Sequence, residues 1–362
     1  MEDLQMSETL TIHSKVNGSY SVKFISHLSQ QLSADVENGN CIFVIDEKIL
    51  ELFSAELSVV IKNGRYVLIS SEEQNKTMDF AQEVIRKLLE LNVRKNDALI
   101  AIGGGITQDI VAFISSVLFR GIEWRFYPTT LLAQCDSCIG SKSSINFDQY
   151  KNLIGTFNPP AQIFIYTDFL NTLTESEIRS GIGEMLHYFF TEGIDLAQQI
   201  SDNYEGLLTN RALLSNFISN SLRIKKAIIE IDEFDTSIRH IFNYGHTFGH
   251  AIEAITHYAI PHGQAVSIGM DLANYISLKK GILSEQHFQQ MHEILKKNIP
   301  PFVFTLENID AYCTALSRDK KNKGNQLGSI LSYGPGNVKK VFIDIDQNLK
   351  DTFLEYSSLF GK

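Results

Sequence analysis

The stretch Ala98-Leu-Ile-Ala-Ile-Gly103-Gly104-Gly105-Ile106-Thr-Gln108-Asp109-Ile-Val-Ala-Phe-Ile-Ser-Ser-Val-Leu118 decides how the fold is read. Residues 98–102 form a continuous apolar run of strand length, and the three glycines break it. From Ile106 onward the apolar residues fall at 106, 110, 114, 117 and 118, the spacing of a buried helix face. Strand, glycine turn and helix in that order leave unpaired backbone N–H groups and the positive end of a helix dipole at the turn, where a phosphate can bind. The glycines do not follow the spaced G-x-G-x-x-G fingerprint. Local evidence therefore leaves two readings, a nucleotide cradle or a plain tight turn.

Working outward, the N-terminal side carries strand candidates at 9–13, 20–25, 41–45 and 66–69, with helices at 47–53 and 76–91. On the other side come a strand at 124–127, the Pro128-Thr129-Thr130 turn, a polar stretch from 135 to 158, and a strand at 163–165. This alternation predicts an α/β layer with a largely parallel sheet. Beyond Thr174 the period changes, and residues 176–190, 209–231, 241–257, 264–280, 285–297 and 309–316 all read as helices. The expected organisation is α/β plus α. A Rossmann-like nucleotide-binding α/β domain over residues 1–174 precedes an α-helical metal- and substrate-binding domain over 175–362.

The 362 residues are 44% hydrophobic, ample for packed cores. No apolar run reaches membrane-spanning length and the start Met-Glu-Asp-Leu-Gln is polar, so a soluble cytoplasmic protein is expected. The formal charge of −10 argues against nucleic-acid partners and anionic membrane surfaces. Cys41, Cys135, Cys138 and Cys313 are too scattered for a disulfide framework. Cys135-Asp-Ser-Cys138 has redox spacing, but small buried thiols account for it without further chemistry.

Metal chemistry is suggested by His246, His250 and His262. The first two are four apart and share one helix face, and the third returns beside a Pro-His-Gly turn, so three imidazoles can converge. Thr247 stands where a metalloprotease needs Glu, which argues against peptidase chemistry of that type. Glu184, in Gly-Ile-Gly-Glu, offers a carboxylate for the same ion. Cations at Arg120, Lys142, Lys151, Lys225, Arg239, Lys320 and Lys321 accompany Asp136, Asn152 and Asn243, several of them in short turns beside Gly or Asn. Metal, nucleotide loop and gathered cations together point to redox chemistry on a phosphorylated, polyhydroxylated anion.

Gly103-Gly104-Gly105-Ile106-x-x-Asp109, Phe119-Arg120-Gly121, Pro128-Thr129-Thr130-Leu-Leu-Ala-Gln134, Asp136-Ser137, Lys142, Lys151-Asn152-Leu-Ile-Gly155, Thr167-Asp-Phe169-Leu, Asn243-Tyr-Gly-His246-Thr-Phe-Gly-His250-Ala-Ile-Glu253 and His262-Gly263 resemble the 3-dehydroquinate synthases and the wider sugar phosphate cyclases. The similarity runs from about residue 46 to 321. It implies NAD+ held by Asp46, Glu73, Lys76, Gly104, Gly105, Ile106, Asp109, Thr129, Thr130, Asp136, Lys142, Lys151, Phe169, Thr172 and Glu177. It also implies zinc, or cobalt as in some members, on Glu184, His246 and His262, with His250 moved to the substrate side. Lys142, Asn152, Asn243 and His250 match substrate-binding positions, Lys225 and Arg239 the pair for a substrate carboxylate, and Lys320 (or Lys321) a hydroxyl contact. Arg120 matches an Arg that the family donates across a homodimer interface to the substrate phosphate.

The implied activity is NAD- and metal-dependent oxidation, phosphate elimination, reduction and intramolecular aldol closure, converting 3-deoxy-arabino-heptulosonate 7-phosphate to 3-dehydroquinate. Four positions depart from the pattern: Gln108 and Ser141 where Gly is usual, Gln264 for Glu, and His187 for a substrate-side Lys. These keep open a paralogous cyclase that makes another carbocycle and, at greater distance, a metal-dependent NAD alcohol dehydrogenase or a non-catalytic relative. Intact ligands argue against the last. Retention of Lys225 and Arg239 favours a carboxylated substrate.

Overall fold

A computed structural model describes residues 9–148, 150–318, 322–324 and 326–361. The chain divides into two compact units, Met1–Leu173 with Ile218–Phe234, and Thr174–Phe217 with Asp235–Lys362.

The first unit is built on strands β1 (Thr9–Ser14), β2 (Gly18–Phe24), β3 (Cys41–Asp46), β4 (Tyr66–Ile69), β5 (Ala98–Gly103), β6 (Glu123–Pro128), β7 (Lys142–Phe147), β8 (Tyr150–Phe157) and β9 (Gln162–Ile165). Seven of them make one sheet in the order β1-β2-β9-β6-β5-β3-β4, parallel except for the β1–β2 hairpin. Every residue of β5 is buried, which is why it reads as an unbroken apolar run rather than an alternating one. After β3 the chain steps outward to β4, and after β5 it steps the other way to β6. The carboxyl ends of β3 and β5 thus flank a topological switch point, where open α/β sheets bind ligands. β7 and β8 form a separate antiparallel hairpin, so the polar stretch contains regular structure after all.

Residues 218–234 pack with this first unit although chain order assigns them to the helical half. The cause is polar. Glu230 accepts from the backbone N–H of His13 at 2.8 Å, and Glu233 accepts from the Ser14 hydroxyl and the Lys15 N–H, each at 2.6 Å. Three donors of the β1–β2 turn are satisfied from that one segment.

The second unit is mainly helical, as expected. The helix Glu175–Glu192 opens with a full capping box between Thr174 and Glu177. The helix His262–Lys279 is buried continuously from Gly263 to Ser277 and serves as its spine. Two expectations are corrected here. A single helix over 241–257 is in fact a 3-10 turn, Ile238–Asn243, and a helix, His246–Ile255, separated at Gly245, whose φ of +80° ends one and starts the other. An antiparallel pair, β10 (Gln326–Ser332) and β11 (Val338–Asp344), stands where no strand is expected. Apart from Gln326, β10 is buried throughout, so no period-2 signal marks it. No helix among the described residues is long and apolar enough to cross a membrane.

Candidate active site

Within the second unit, Glu184, His246 and His262 each sit beside a glycine, and the glycines bring them together. A Cβ on Gly183 would stand 1.9 Å from the carbonyl oxygen of Gly263, and one on Gly263 would stand 1.8 Å from that of Ser180. The helices Glu175–Glu192 and His262–Lys279 therefore touch backbone to backbone, and only glycine permits it. His246 and His262 are the first residues of their helices. Their Nε2 atoms lie 3.6 and 3.1 Å from the Glu184 carboxylate, which is 1% exposed. One ligand atom from each of the three residues falls within 4.8 Å of the others.

Both rings are held from behind. His246 Nδ1 lies 3.2 Å from the Tyr244 carbonyl, and His262 Nδ1 lies 3.1 Å from the Glu253 carboxylate. With Nδ1 engaged in each case, Nε2 of each ring is turned to the cluster, the arrangement that orients metal-binding imidazoles. Burial alone would push the Glu184 carboxyl up, but His246 and His262 beside it hold it well below the usual range. Burial likewise disfavours the charged His262 ring, and its bonds to Glu184 and Glu253 outweigh that and raise it. One carboxylate and two imidazoles in this geometry form a zinc-type donor set.

His250 is exposed and its ring stacks on that of His262 at 5.5 Å. It groups with Glu253 and His262, whereas the carboxylate cluster is Glu184, His246 and His262, so the convergence of three imidazoles on one ion is not the arrangement found. His187, three residues after Glu184, is buried with its ring 4.9 Å from His246, 4.7 Å from Tyr188 and 5.8 Å from Phe242. Asn243 ends the 3-10 turn on which Arg239 is buried. Gln264 is buried and donates to the Asn298 carbonyl at 3.2 Å, a structural contact. Glu177 is engaged in the capping box.

Within the first unit, Gly104 caps and Gly105 begins the helix Gly105–Val117, with Ile106 in its first turn. A Cβ on Gly104 would crowd the Thr130 methyl at 3.1 Å, and Thr129 donates back to the Gly103 carbonyl at 2.9 Å. The glycine turn thus lies at the carboxyl end of β5, with Thr107 and Thr130 packed against it. Asp46 ends β3 across the switch point, where an acidic residue suits a ribose, and caps the next helix through Lys48 N–H at 3.0 Å.

Asp109, one turn into the glycine helix, accepts from Lys76 at 3.0 Å, from Ser144 N–H at 2.8 Å and from the Ser144 hydroxyl at 2.9 Å. Burial pushes its carboxyl up, and Lys76 acts against that. Lys76 also reaches the Asn152 side chain at 2.5 Å, and Asn152 takes a left-handed φ of +54°. Glu73 faces Lys151 at 3.6 Å and accepts from Asn146 at 2.8 Å. Lys76, Asp109, Asn152, Glu73 and Lys151 are therefore brought to one end of the β7–β8 hairpin, while Lys142 is exposed at the start of β7.

Lys225 is buried with its ammonium 2.7 Å from both the carbonyl and the carboxylate of Asp136. The Phe169 side chain lies in the core against Phe53 and Tyr166, so only its backbone is available to a ligand, and Thr172 donates to the Phe169 carbonyl at 3.0 Å. Arg120 is exposed on a turn where it and Phe119 both have positive φ, +61° and +51°. Lys320 and Lys321 lie outside the described residues. The sequence reading missed Ser144, Asn146 and Tyr244 as partners of site residues and gave Glu253 no role. Only Glu253 carried a local signal, three residues after His250 on one helix face.

Solved structures share the fold of this chain, a parallel sheet unit followed by a mainly helical unit. 2-Deoxy-scyllo-inosose synthase complexed with carbaglucose-6-phosphate, NAD+ and Co2+ matches with a TM-score of 0.85 at 23% identity, over 96% of this chain and 100% of that one. ValA, a 2-epi-5-epi-valiolone synthase from Streptomyces hygroscopicus with NAD+ and Zn2+ bound, matches with 0.84 at 23% identity, over 96% and 98%. An iron-containing alcohol dehydrogenase shares the fold more distantly, with 0.63 at 14% identity over 97% and 99%. In sequence, the N-terminal family of 3-dehydroquinate synthase matches residues 66–180 and the C-terminal family residues 181–322. The 3-dehydroquinate synthase of Clostridium tetani is 35% identical over 317 residues, 87% of this chain and 84% of that protein. That of Alkaliphilus metalliredigens is 34% identical over 335 residues, 90% and 93%. The chain belongs to the 3-dehydroquinate synthase family.

Proposed function

We propose that the chain is a 3-dehydroquinate synthase acting on 3-deoxy-arabino-heptulosonate 7-phosphate, as a cytoplasmic homodimer with NAD+ and one zinc or cobalt ion per chain. The observation that carries the reading is the buried Glu184 with two imidazoles whose outer nitrogens are already engaged, a donor set that fits such an ion. The glycine cradle at the switch point fits a dinucleotide. When bound, the metal supplies Lewis acidity toward a secondary hydroxyl, and NAD+ takes up and returns a hydride.

In this reading Glu184, His246 and His262 hold the ion, and Gly104, Gly105 and Thr130 leave room for the dinucleotide phosphates, with Asp46 toward its ribose. Lys225 and Arg239 supply charge for the substrate carboxylate, Lys142, Asn152, Asn243 and His250 bind its hydroxyls and phosphate, and Lys320 adds a hydroxyl contact. The strained, exposed turn at Phe119-Arg120 supports a donated cation, because backbone strain persists where function selects it. A chain with these groups needs no added base if the departing phosphate accepts the proton. The protein then works by orientation and charge.

Incubation with 3-deoxy-arabino-heptulosonate 7-phosphate, NAD+ and zinc should release phosphate without net NADH. Stoichiometric NADH growth would support the dehydrogenase alternative instead. The buried aromatic setting of His187 favours one second reading, a paralogous cyclase with another substrate. Wild-type inactivity on this sugar acid, unrescued by His187→Lys, would move the assignment there. Sedimentation at high dilution tests the dimer: full activity in a monomer would end it.

A further inference from the structure

Two buried side chains hold the short segment of residues 133–142: Gln108 bonds into it at Ser137, and Ser141, within it, bonds outward to Glu233. Gln108 is 5% exposed. Its amide donates to the Ser137 carbonyl at 2.6 Å, and the Ser137 hydroxyl donates back to its Oε1 at 2.6 Å, closing a two-bond ring. That ring fixes the end of a π-helical turn, Ala133–Ser137, against the helix of the glycine cradle. π-Turns are uncommon and cluster at functional sites, and they need such support.

At the other end Ser141 has a left-handed φ of +67°, a conformation that a residue with a Cβ seldom takes. Its hydroxyl donates to Glu233 Oε1, the oxygen that also accepts from Ser14 at 2.6 Å, while Oε2 accepts from Lys15 N–H at 2.6 Å. Glu233 is 3% exposed, so it is a buried hub with both oxygens engaged. Gly140 N–H is anchored in addition on the Tyr20 hydroxyl at 3.2 Å. Between the two clamps the segment carries Asp136, which fixes the Lys225 ammonium at 2.7 Å, and it ends on Lys142. Lys225 and Glu233 belong to one segment, so the clamp closes as a loop: cradle helix, π-turn, residues 218–234, and back to Ser141.

We propose that Gln108, Ser141 and Glu233 are positioning residues that clamp residues 133–142 at both ends and thereby set where Asp136, Lys225 and Lys142 present their charges to the substrate. A glycine at 108 or 141 allows the same backbone but leaves that end of the segment unclamped. The kinetic part of the proposal rests on the dehydroquinate synthase reading, whereas its structural part does not.

The test uses the full chain with Gln108→Gly and Ser141→Gly, substitutions the backbone at both positions accepts. Hydrogen–deuterium exchange of peptides covering 133–142 should quicken on the order of tenfold per clamp removed, with the central sheet unchanged. Unchanged exchange in both variants overturns the clamp. With the sugar phosphate, Ser141→Gly should raise KM about tenfold while kcat moves by less than about twofold, the signature of lost ground-state binding. In a Lys142→Ala background the Ser141→Gly effect on KM should shrink, because Ser141 acts in part through that lysine. A full effect persisting there overturns the positioning role. Absence of any turnover by the wild type would sink only the substrate assignment, and the exchange result would still decide the clamp.

Discussion

The Glu184-His246-His262 cluster and the turn after β5 are both built around glycines, yet Gly183 and Gly263 differ from Gly105 in what surrounds them. At Gly183 and Gly263 the missing side chains are filled by neighbouring backbone at under 2 Å from an added Cβ, so their absence is what lets two helices touch. At Gly105 an added Cβ would meet only the Ser137 hydroxyl at 3.8 Å, an ordinary contact. Glycine in the first case is a packing requirement, whereas at Gly105 packing alone does not demand it, and substitution separates the two.

The largest effect should come from Gly183→Ala. Backbone cannot yield as a flexible side chain does, so the variant should lose about 3 kcal/mol, read from the urea midpoint. Zinc content should fall with it because Glu184 moves away from His262. An unchanged midpoint would break the comparison at its strongest point. His262→Ala keeps the packing but should bring zinc content to background by elemental analysis.

Next in size is Glu253→Gln. Its carboxylate orients His262 without being counted among the ligands, so zinc affinity by chelator competition should fall roughly 10- to 100-fold while the melting temperature barely changes. Equal affinity would mean that the ring is oriented by packing alone.

Gly105→Ala is the counterpart of Gly183→Ala. Stability should change by less than about 1 kcal/mol, because alanine is the better helix former and nothing obstructs it. NAD+ affinity by calorimetry should nevertheless drop, since the phosphates lose their close approach to backbone. Unchanged affinity would place the dinucleotide elsewhere.

The smallest effect concerns the thiols of the cradle unit. Burial pushes Cys138 up to about 12 and Cys41 up to about 11, and a raised pKa keeps the protonated, unreactive form through neutral pH. At pH 8 roughly one Cys138 in ten thousand is thiolate. A thiol reagent should therefore label neither residue in the native protein at pH 8, and label both once urea unfolds it. Rapid native labelling would revive the redox reading of Cys135-Asp-Ser-Cys138.

Much of this was legible in the chain itself. Apolar periodicity and the glycine break located the strand, turn and helix at 98–118, and residue chemistry gathered His246, His250, His262 and Glu184 as candidate ligands, while only the family resemblance narrowed them to Glu184, His246 and His262. The three-imidazole convergence failed because i,i+4 spacing reports a shared helix face, not which atoms meet across helices. Phe169 illustrates a different limit: membership in a motif does not tell whether a side chain faces a ligand or, as here, the core.

What the sequence determined by itself is the set of chemical groups, the period of each element and the positions where a side chain is missing, because these are properties of neighbouring residues. Only the tertiary structure decided that residues 218–234 join the first unit, that β10 and β11 pair, that Glu253 and the Tyr244 carbonyl turn two imidazoles, and that Gln108 and Ser141 clamp one segment. Most of these contacts join residues far apart in the chain. Even the near ones, such as Glu253 to His262, hang on a turn between helices. Their partners are chosen by where packed elements bring unsatisfied donors and acceptors together, and no local pattern carries that information.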